Sequence, residues 1–123
     1  MKLYYKRKFD AAHQLGNPQF AKEFNEKTYG KCLFLHGHSW IVEFELGGQK
    51  SDETGMIVNF NILKDLIDRL DHSKLNDTIM LPTAENLADY FLNHLRDMQL
   101  FTSIKVTIWE SDNASITSEW EID

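Results

Sequence analysis

The chain has 123 residues, a net charge of −6 and 42% hydrophobic residues, which predict a single domain spanning residues 1–123. The acidic balance argues against nucleic-acid binding, because phosphate backbones select basic surfaces. No apolar run approaches the ~20 residues that span a bilayer, so we expect no membrane association. The polar N-terminus is unlike a signal peptide, and a single cysteine excludes an intrachain disulfide. Both features predict a cytoplasmic protein.

Two strands are predicted in the first part of the chain. Residues 2–13 and 36–46 alternate between apolar and polar side chains, which is the pattern of half-buried strands. Arg7 is the exception, because it lies on the apolar face of the first strand. Residues 14–35 between the strands show no clear period, and a loop of that length is usually functional or mobile.

Two amphipathic helices and two more strands are predicted to follow. The first helix has Asn59 or Asn61 as its candidate N-cap, and the second begins at Thr83. Residues 104–108 and 114–122 alternate as strands. This order predicts an α+β domain in which two helices cover one face of a four-stranded antiparallel sheet. The uncovered face and the two sheet edges favour closure by neighbouring subunits.

Three histidines are predicted to meet at one end of this sheet. His36 and His38 are two residues apart on a strand, so both side chains leave the same face. His13 ends the first strand on its apolar face, and hairpin pairing places that end beside the start of the next strand. Three imidazoles with an open fourth position are typical of a catalytic zinc site, where the metal acts as a Lewis acid.

Four further residues are candidates for the same site. Cys32 precedes the histidine pair, and spacing alone leaves it either as a fourth zinc ligand or as a nearby base or nucleophile. Asp71 and His72 follow the first helix, whose C-terminal end favours a protonated imidazole. Glu110 has the parity of the inward-facing positions of its strand. An inward carboxylate needs a dedicated partner, such as a planar ligand edge with two N–H donors.

These motifs resemble the 6-pyruvoyl-tetrahydropterin synthase superfamily, and within it the carboxy-type branch of queuosine biosynthesis. They are Phe9–His13, Cys32-x-x-x-His36-Gly37-His38, Leu70–Asp77, Pro82–Asn86 and Glu110. The resemblance implies a tunnelling fold, in which four-stranded subunits join into a barrel. It also implies a homo-hexamer with active sites between subunits.

The resemblance also implies a role for each candidate residue. Zinc is bound by a histidine group, protons are transferred by a second group, and the pterin edge is anchored by Glu110 with help from Thr83. The histidine group is His13, His36 and His38, and the proton-transfer group is Cys32, Asp71 and His72. The implied substrate is 7,8-dihydroneopterin triphosphate.

The implied products are 6-carboxy-5,6,7,8-tetrahydropterin, acetaldehyde and triphosphate. Three residues separate Cys32 from His36, which is the spacing of carboxy-type members, whereas animal pyruvoyl-type members tend to have a longer gap. Two alternatives stay open. One is a 6-pyruvoyl-tetrahydropterin synthase, which eliminates triphosphate. The other is a non-catalytic pterin-binding module with a structural zinc.

Overall fold

The computed structural model describes residues 1–123, and its main elements follow the predicted order. Strand β1 (Lys2–His13) is followed by helix α1 (Lys22–Tyr29) and strand β2 (His36–Gly47). Helix α2 (Phe60–Asp68), the two-residue strand β3 (Ser73–Lys74) and helix α3 (Ala84–Asp97) come next. Strands β4 (Ser103–Ser111) and β5 (Ala114–Glu121) end the domain. None of the helices has both the length and the apolar character that crossing a membrane requires.

The four long strands form the predicted antiparallel sheet, and a fifth strand is added at one edge. The strand order is β3-β1-β2-β4-β5, and β3 pairs parallel with β1 at Ala11 and Ala12. The α+β prediction is therefore confirmed. A strand of two residues has no period to detect, which is why the sequence did not predict it.

The core lies between one face of the sheet and helices α2 and α3. Its fully buried side chains include Trp40 and Val42 of β2, Leu63 and Ile67 of α2, Leu87 and Phe91 of α3, and Val106 and Ile108 of β4. Both helices begin at predicted N-caps, since the Asn59 and Thr83 side chains accept hydrogen bonds from the N–H groups of Asn61 and Asn86. These caps and the buried stripes fix the helices against the sheet and set the position of its His13 end.

The one cation on the apolar face of β1 has a partner on helix α2. Arg7 Nε donates to Asp68 Oδ1 at 2.7 Å, and Lys64 Nζ lies 2.9 Å from Asp68 Oδ2. The Arg7 guanidinium, with a smaller contribution from Lys64, holds the pKa of Asp68 below its usual value. Arg7 is thus compatible with the strand because its charge is paired at the rim of the core.

The segment between β1 and β2 has more regular structure than its sequence predicted. It contains helix α1 and a 3-10 turn at Gly30–Leu33. Helix α1 buries no residue, and Ala21 at its N-cap makes no side-chain capping bond. A short helix without a buried stripe or a cap has no strong sequence signature, so the prediction of an irregular loop was wrong for this physical reason.

Candidate active site and metal centre

The pairing of β1 with β2 brings the three histidines together. His13 lies directly opposite His36 in the antiparallel register, and His38 lies two residues further along β2. The ring centroid of His13 is 4.5 Å from that of His36 and 5.1 Å from that of His38. One nitrogen from each ring lies within 4.8 Å of the other two. The side chains therefore form a compact group that could hold a metal ion.

Two backbone carbonyls orient the rings of this histidine cluster. His13 Nδ1 lies 2.7 Å from the carbonyl oxygen of Pro82, and His36 Nδ1 lies 2.7 Å from that of Phe34. Because a carbonyl oxygen only accepts hydrogen bonds, each Nδ1 carries the proton and donates it. The Nε2 atom of each ring is then left with its lone pair, which is the form that binds metals.

The buried nitrogens of the cluster have no partner within the chain. The Nε2 atoms of His13 and His38 are buried and make no hydrogen bond. Leaving such atoms unsatisfied is costly, so each one calls for an explanation. Burial lowers the pKa of both residues; the Pro82 carbonyl partly offsets this for His13 and the Glu110 carboxylate for His38, and neighbouring imidazoles add a smaller lowering. Neutral imidazoles with free lone pairs at close range are the donor set that zinc prefers.

Glu110 reaches the same cluster from strand β4. Its Oε1 atom lies 3.3 Å from His38 Nε2, although the orientation does not make a hydrogen bond. The Glu110 side chain remains 35% exposed, so its carboxylate borders the cluster and still faces open space. That position leaves its oxygens available to N–H donors of a ligand.

Asp71 and His72 form a second group, at the outer edge of β1. Asp71 Oδ2 lies 3.0 Å from His72 Nδ1. Asp71 Oδ1 accepts a hydrogen bond from the N–H of Asp10 at 2.9 Å, and the His72 N–H donates to the Asp10 carbonyl at 2.6 Å. The Asp10 N–H, followed by His72, holds the pKa of Asp71 below its usual value.

The backbone of His72 has an uncommon conformation. Its φ of 57° lies in the left-handed region, which few residues other than glycine adopt. Its side chain is 81% exposed, so no packing within the chain fixes the ring on the side away from Asp71. The hydrogen bonds to Asp10 hold this turn and present the imidazole to the outside.

Within one chain, the candidate groups remain separate. Asp71 and His72 cluster with Asp10, and this group shares no member with the histidine cluster. Cys32 belongs to neither group, and its carbonyl oxygen accepts a 2.7 Å hydrogen bond from the N–H of Leu15. Thr83 caps α3 directly after Pro82, the residue whose carbonyl orients His13. The structure thus places Glu110 within 3.3 Å of His38, whereas Cys32 and the Asp71–His72 pair are not members of the histidine cluster.

Three residues hydrogen-bond directly to the candidate site residues, although the sequence predicted no role for them. Pro82 and Phe34 act through carbonyl oxygens, and Asp10 acts through its N–H and its carbonyl. Any residue type can supply such groups, so no side-chain pattern identifies them. Pro82 and Asp10 do lie inside motifs that carry the family resemblance, and that was the only available signal.

The comparison with known proteins agrees with this architecture. Residues 2–121 match the family described as 6-pyruvoyl tetrahydropterin synthase. The chain belongs to this family. It is 31% identical over 112 residues to a 6-pyruvoyl tetrahydrobiopterin synthase of Dictyostelium discoideum, an alignment that covers 83% of this chain and 79% of that protein.

A second relative has a different name. The chain is 28% identical over 143 residues to a 6-carboxy-5,6,7,8-tetrahydropterin synthase of Aquifex aeolicus, covering 85% of this chain and 88% of that protein. Among solved structures, the 6-pyruvoyl tetrahydropterin synthase of Caenorhabditis elegans superposes with a TM-score of 0.80 at 26% identity. That superposition covers 98% of this chain and 96% of the other.

The family resemblance of the sequence motifs is therefore confirmed, and the chain is an enzyme of the pterin synthase type, a lyase. Relatives with both names have similar identities to this chain. Family membership consequently defines the substrate class as a pterin, whereas the product has to be inferred from the site.

Proposed function

We propose that this enzyme converts 7,8-dihydroneopterin triphosphate and one water to 6-carboxy-5,6,7,8-tetrahydropterin, acetaldehyde and triphosphate in queuosine biosynthesis. The observation that carries the proposal is the histidine cluster, with its buried and unpartnered nitrogens on His13 and His38. In this proposal His13, His36 and His38 hold zinc. The carboxy-type product is supported by the three residues between Cys32 and His36.

The chain's own residues prepare the zinc site. Burial lowers the pKa of His13 and His38, so both rings are neutral ligands at neutral pH. The Pro82 and Phe34 carbonyls hold the tautomers that present Nε2. When bound, zinc supplies a Lewis acid that acidifies a C–H beside the substrate's side-chain hydroxyls.

Substrate orientation is assigned to Glu110 and Thr83. The two carboxylate oxygens of Glu110 match a planar pterin edge that offers two adjacent N–H donors. Because Glu110 lies within 3.3 Å of the His38 ring, a pterin held there has its side chain next to the histidine cluster. Thr83 contributes from the start of α3, next to Pro82.

Proton transfer is assigned to Cys32, Asp71 and His72. Cys32 acts as the base, and His72 is the partner acid or base, with its Nδ1 proton held by Asp71. The Asp10 N–H keeps Asp71 ionised by lowering its pKa, which suits a carboxylate that orients an imidazole. A catalytic thiol also agrees with the cytoplasm, where we place the enzyme.

The separation of these groups supports an active site shared between subunits. His72 is 81% exposed, and neither residue of the Asp71–His72 pair is a member of the histidine cluster. We therefore propose that the pair of one subunit completes the site of its neighbour, within a homo-hexamer whose sheets close into a barrel. A free sheet face and free edges at β3 and β5 suit such closure.

A second candidate is triphosphate elimination to 6-pyruvoyl-tetrahydropterin. It is favoured by the 31% identical relative and by the Caenorhabditis elegans structure, both of which are named as pyruvoyl-type synthases. A non-catalytic pterin-binding module would instead keep Cys32 bonded to zinc. Cys32 is not a member of the histidine cluster, which does not support that arrangement.

Product analysis by mass spectrometry tests the proposal. The purified protein, supplied with zinc and dihydroneopterin triphosphate, should yield 6-carboxy-tetrahydropterin and acetaldehyde. 6-Pyruvoyl-tetrahydropterin as the main product would select the second candidate, and unchanged substrate would select the binding module. Cys32→Ala is the matched variant. It should keep zinc and lose turnover, whereas intact turnover would contradict the role of the thiol.

A further inference from the structure

We propose that Asn76 is a positioning residue for Cys32. The Asn76 side chain is hydrogen-bonded to the backbone just after β1. The next residue of that backbone is hydrogen-bonded to the 3-10 turn that carries the thiol. The inference rests on the proposed function where that function makes Cys32 the proton-transfer base. It adds a residue outside the reacting groups that determines where this base lies.

The Asn76 side chain binds both backbone groups of one residue. Its Oδ1 accepts from the N–H of Gln14 at 3.0 Å, and its Nδ2 donates to the carbonyl oxygen of Gln14 at 2.8 Å. Backbone pairing between β1 and β3 ends at Ala12 and Lys74. The amide of Asn76 therefore continues, two residues further along, the pairing that the backbones no longer make.

The residue after Gln14 makes the contact with the thiol-bearing turn. Leu15 N–H donates to the carbonyl oxygen of Cys32 at 2.7 Å. The following Gly16 has a φ of 143°, and a side chain there would lie 3.0 Å from Leu33 Cδ2, so the backbone packs tightly against the neighbour of Cys32. Two successive hydrogen-bonded steps thus connect Asn76 to the position of the thiol.

The segment between these contacts is braced from within. Asn25 Nδ2 donates to the carbonyl oxygen of Asn17 at 3.0 Å, and Asn25 Oδ1 accepts from the Asn17 N–H at 2.8 Å. The same Nδ2 lies within 3.2 Å of two further carbonyl oxygens, those of Phe20 and Ala21. A braced segment moves as a unit, so losing its attachment at Gln14 shifts the whole segment, including Cys32.

Asn76 also connects the two parts of the proton-transfer group along the chain. It lies four residues after His72, in the 3-10 turn Leu75–Asp77 that directly follows β3. One short segment therefore carries the Asp71–His72 pair at its start and the attachment for the Cys32 turn at its end. This arrangement relates the position of the thiol to that of the imidazole pair of the same subunit, which in the proposed oligomer serves the neighbouring site.

The single cysteine of the chain makes a direct test possible, because a thiol reagent reports on Cys32 alone. We compare the rate of alkylation by iodoacetamide in wild type, Asn76→Ala and Asn76→Asp. The aspartate has the shape of asparagine, but it places an oxygen against the Gln14 carbonyl. Both variants should label about 5- to 30-fold faster, as expected when one or two hydrogen bonds are lost.

The catalytic readout is kcat at unchanged zinc content. A misplaced base should lower kcat by about 10- to 100-fold, with a smaller change in KM. Asn59→Ala is the matched control, because it removes a helix cap far along the chain and reduces stability without touching the Cys32 attachment. It should label at the wild-type rate and retain wild-type kcat.

The outcomes separate this inference from the proposed function. Wild-type labelling rates in both Asn76 variants would overturn the positioning role, whatever the activity of the protein. Faster labelling together with full turnover by Cys32→Ala would support the positioning of the thiol and contradict its proposed role as the base. Faster labelling in Asn59→Ala as well would trace the effect to general destabilisation, and the inference would be wrong.

Discussion

The histidine cluster and the Asp71–His72 pair differ in how completely one chain builds them. His13 is fully buried, and its ring is oriented by the Pro82 carbonyl. His72 is 81% exposed, and Asp71 is its only side-chain partner. The fold of a single subunit therefore buries and orients the histidine cluster, whereas it holds the Asp71–His72 pair in position with the imidazole exposed.

This difference follows from where each group lies in the sheet. The histidines project from neighbouring central strands into the rim of the core, where helices also pack. Asp71 and His72 lie at the outer edge of β1, held by hydrogen bonds to the backbone of Asp10. A metal site needs several fixed ligands at once, whereas an acid–base pair at an edge can be presented to another subunit.

The largest effect is expected from the histidine cluster. His13→Ala removes one of the three proposed zinc ligands, so zinc binding should fail. Activity should fall by at least about 10³-fold, because the Lewis acid is lost. Metal content by plasma mass spectrometry and turnover are the two measurements. His94→Ala, a histidine on α3 outside both groups, should retain zinc and turnover. Full zinc content in His13→Ala would contradict the ligand assignment.

The Asp71–His72 pair should respond differently. His72→Ala should keep stoichiometric zinc, because His72 is not a member of the histidine cluster. Its kcat should fall by about 10²- to 10⁴-fold, the usual range for a lost acid or base. Zinc content and kcat measured on the same preparation provide the check. Loss of zinc together with activity would show that the two groups are not independent.

The smallest effect is a pH dependence of stability in the metal-free protein. Burial lowers the pKa of His13 in the folded state, so the unfolded chain takes up the proton first as pH falls below about 6.5. The free energy of unfolding of the metal-free protein is therefore highest above that pH and decreases towards pH 5. The slope is at most about 1.4 kcal/mol per pH unit for one histidine.

Urea unfolding of the metal-free protein at pH 7, 6 and 5 measures this slope, which should become shallower in His13→Gln. Asp71 affects stability at lower pH. Because its pKa is lowered in the folded state, its contribution to the free energy of unfolding is lost only as pH falls below the ordinary aspartate range. An unchanged slope in His13→Gln would mean that His13 titrates alike in the folded and unfolded chains.

The sequence predicted the histidine cluster because strand parity and hairpin pairing are both local rules. Alternation along β1 and β2 placed three rings on one face, and the observed register sets His13 opposite His36. The caps at Asn59 and Thr83 were likewise predictable, since side chains with a known preference make them.

The remaining features depend on contacts between distant parts of the chain. The carbonyls of Pro82 and Phe34, the backbone of Asp10 and the amide of Asn76 become partners only after folding. Helix α1 and strand β3 were missed because neither has a buried periodic stripe. The position of Cys32 relative to the histidines could not be predicted either, because residue spacing does not define the path of the long segment between β1 and β2.

Complementation between inactive variants tests the central claim, a site shared by two subunits. Cys32→Ala and His72→Ala subunits are each inactive in this account, and they are unfolded together and co-refolded into mixed oligomers. If the Asp71–His72 pair serves a neighbouring subunit, about a quarter of the sites in a random mixture contain both intact groups, and turnover should return accordingly.

A mixture of Cys32→Ala with the double variant Cys32→Ala/His72→Ala is the negative control, because no subunit in it has the thiol. Turnover in the first mixture and none in the control is the predicted result. If the first mixture stays as inactive as the control although mixed oligomers have formed, the thiol and the imidazole pair act from one chain, and the proposal that the pair serves a site with a neighbouring subunit's thiol is contradicted.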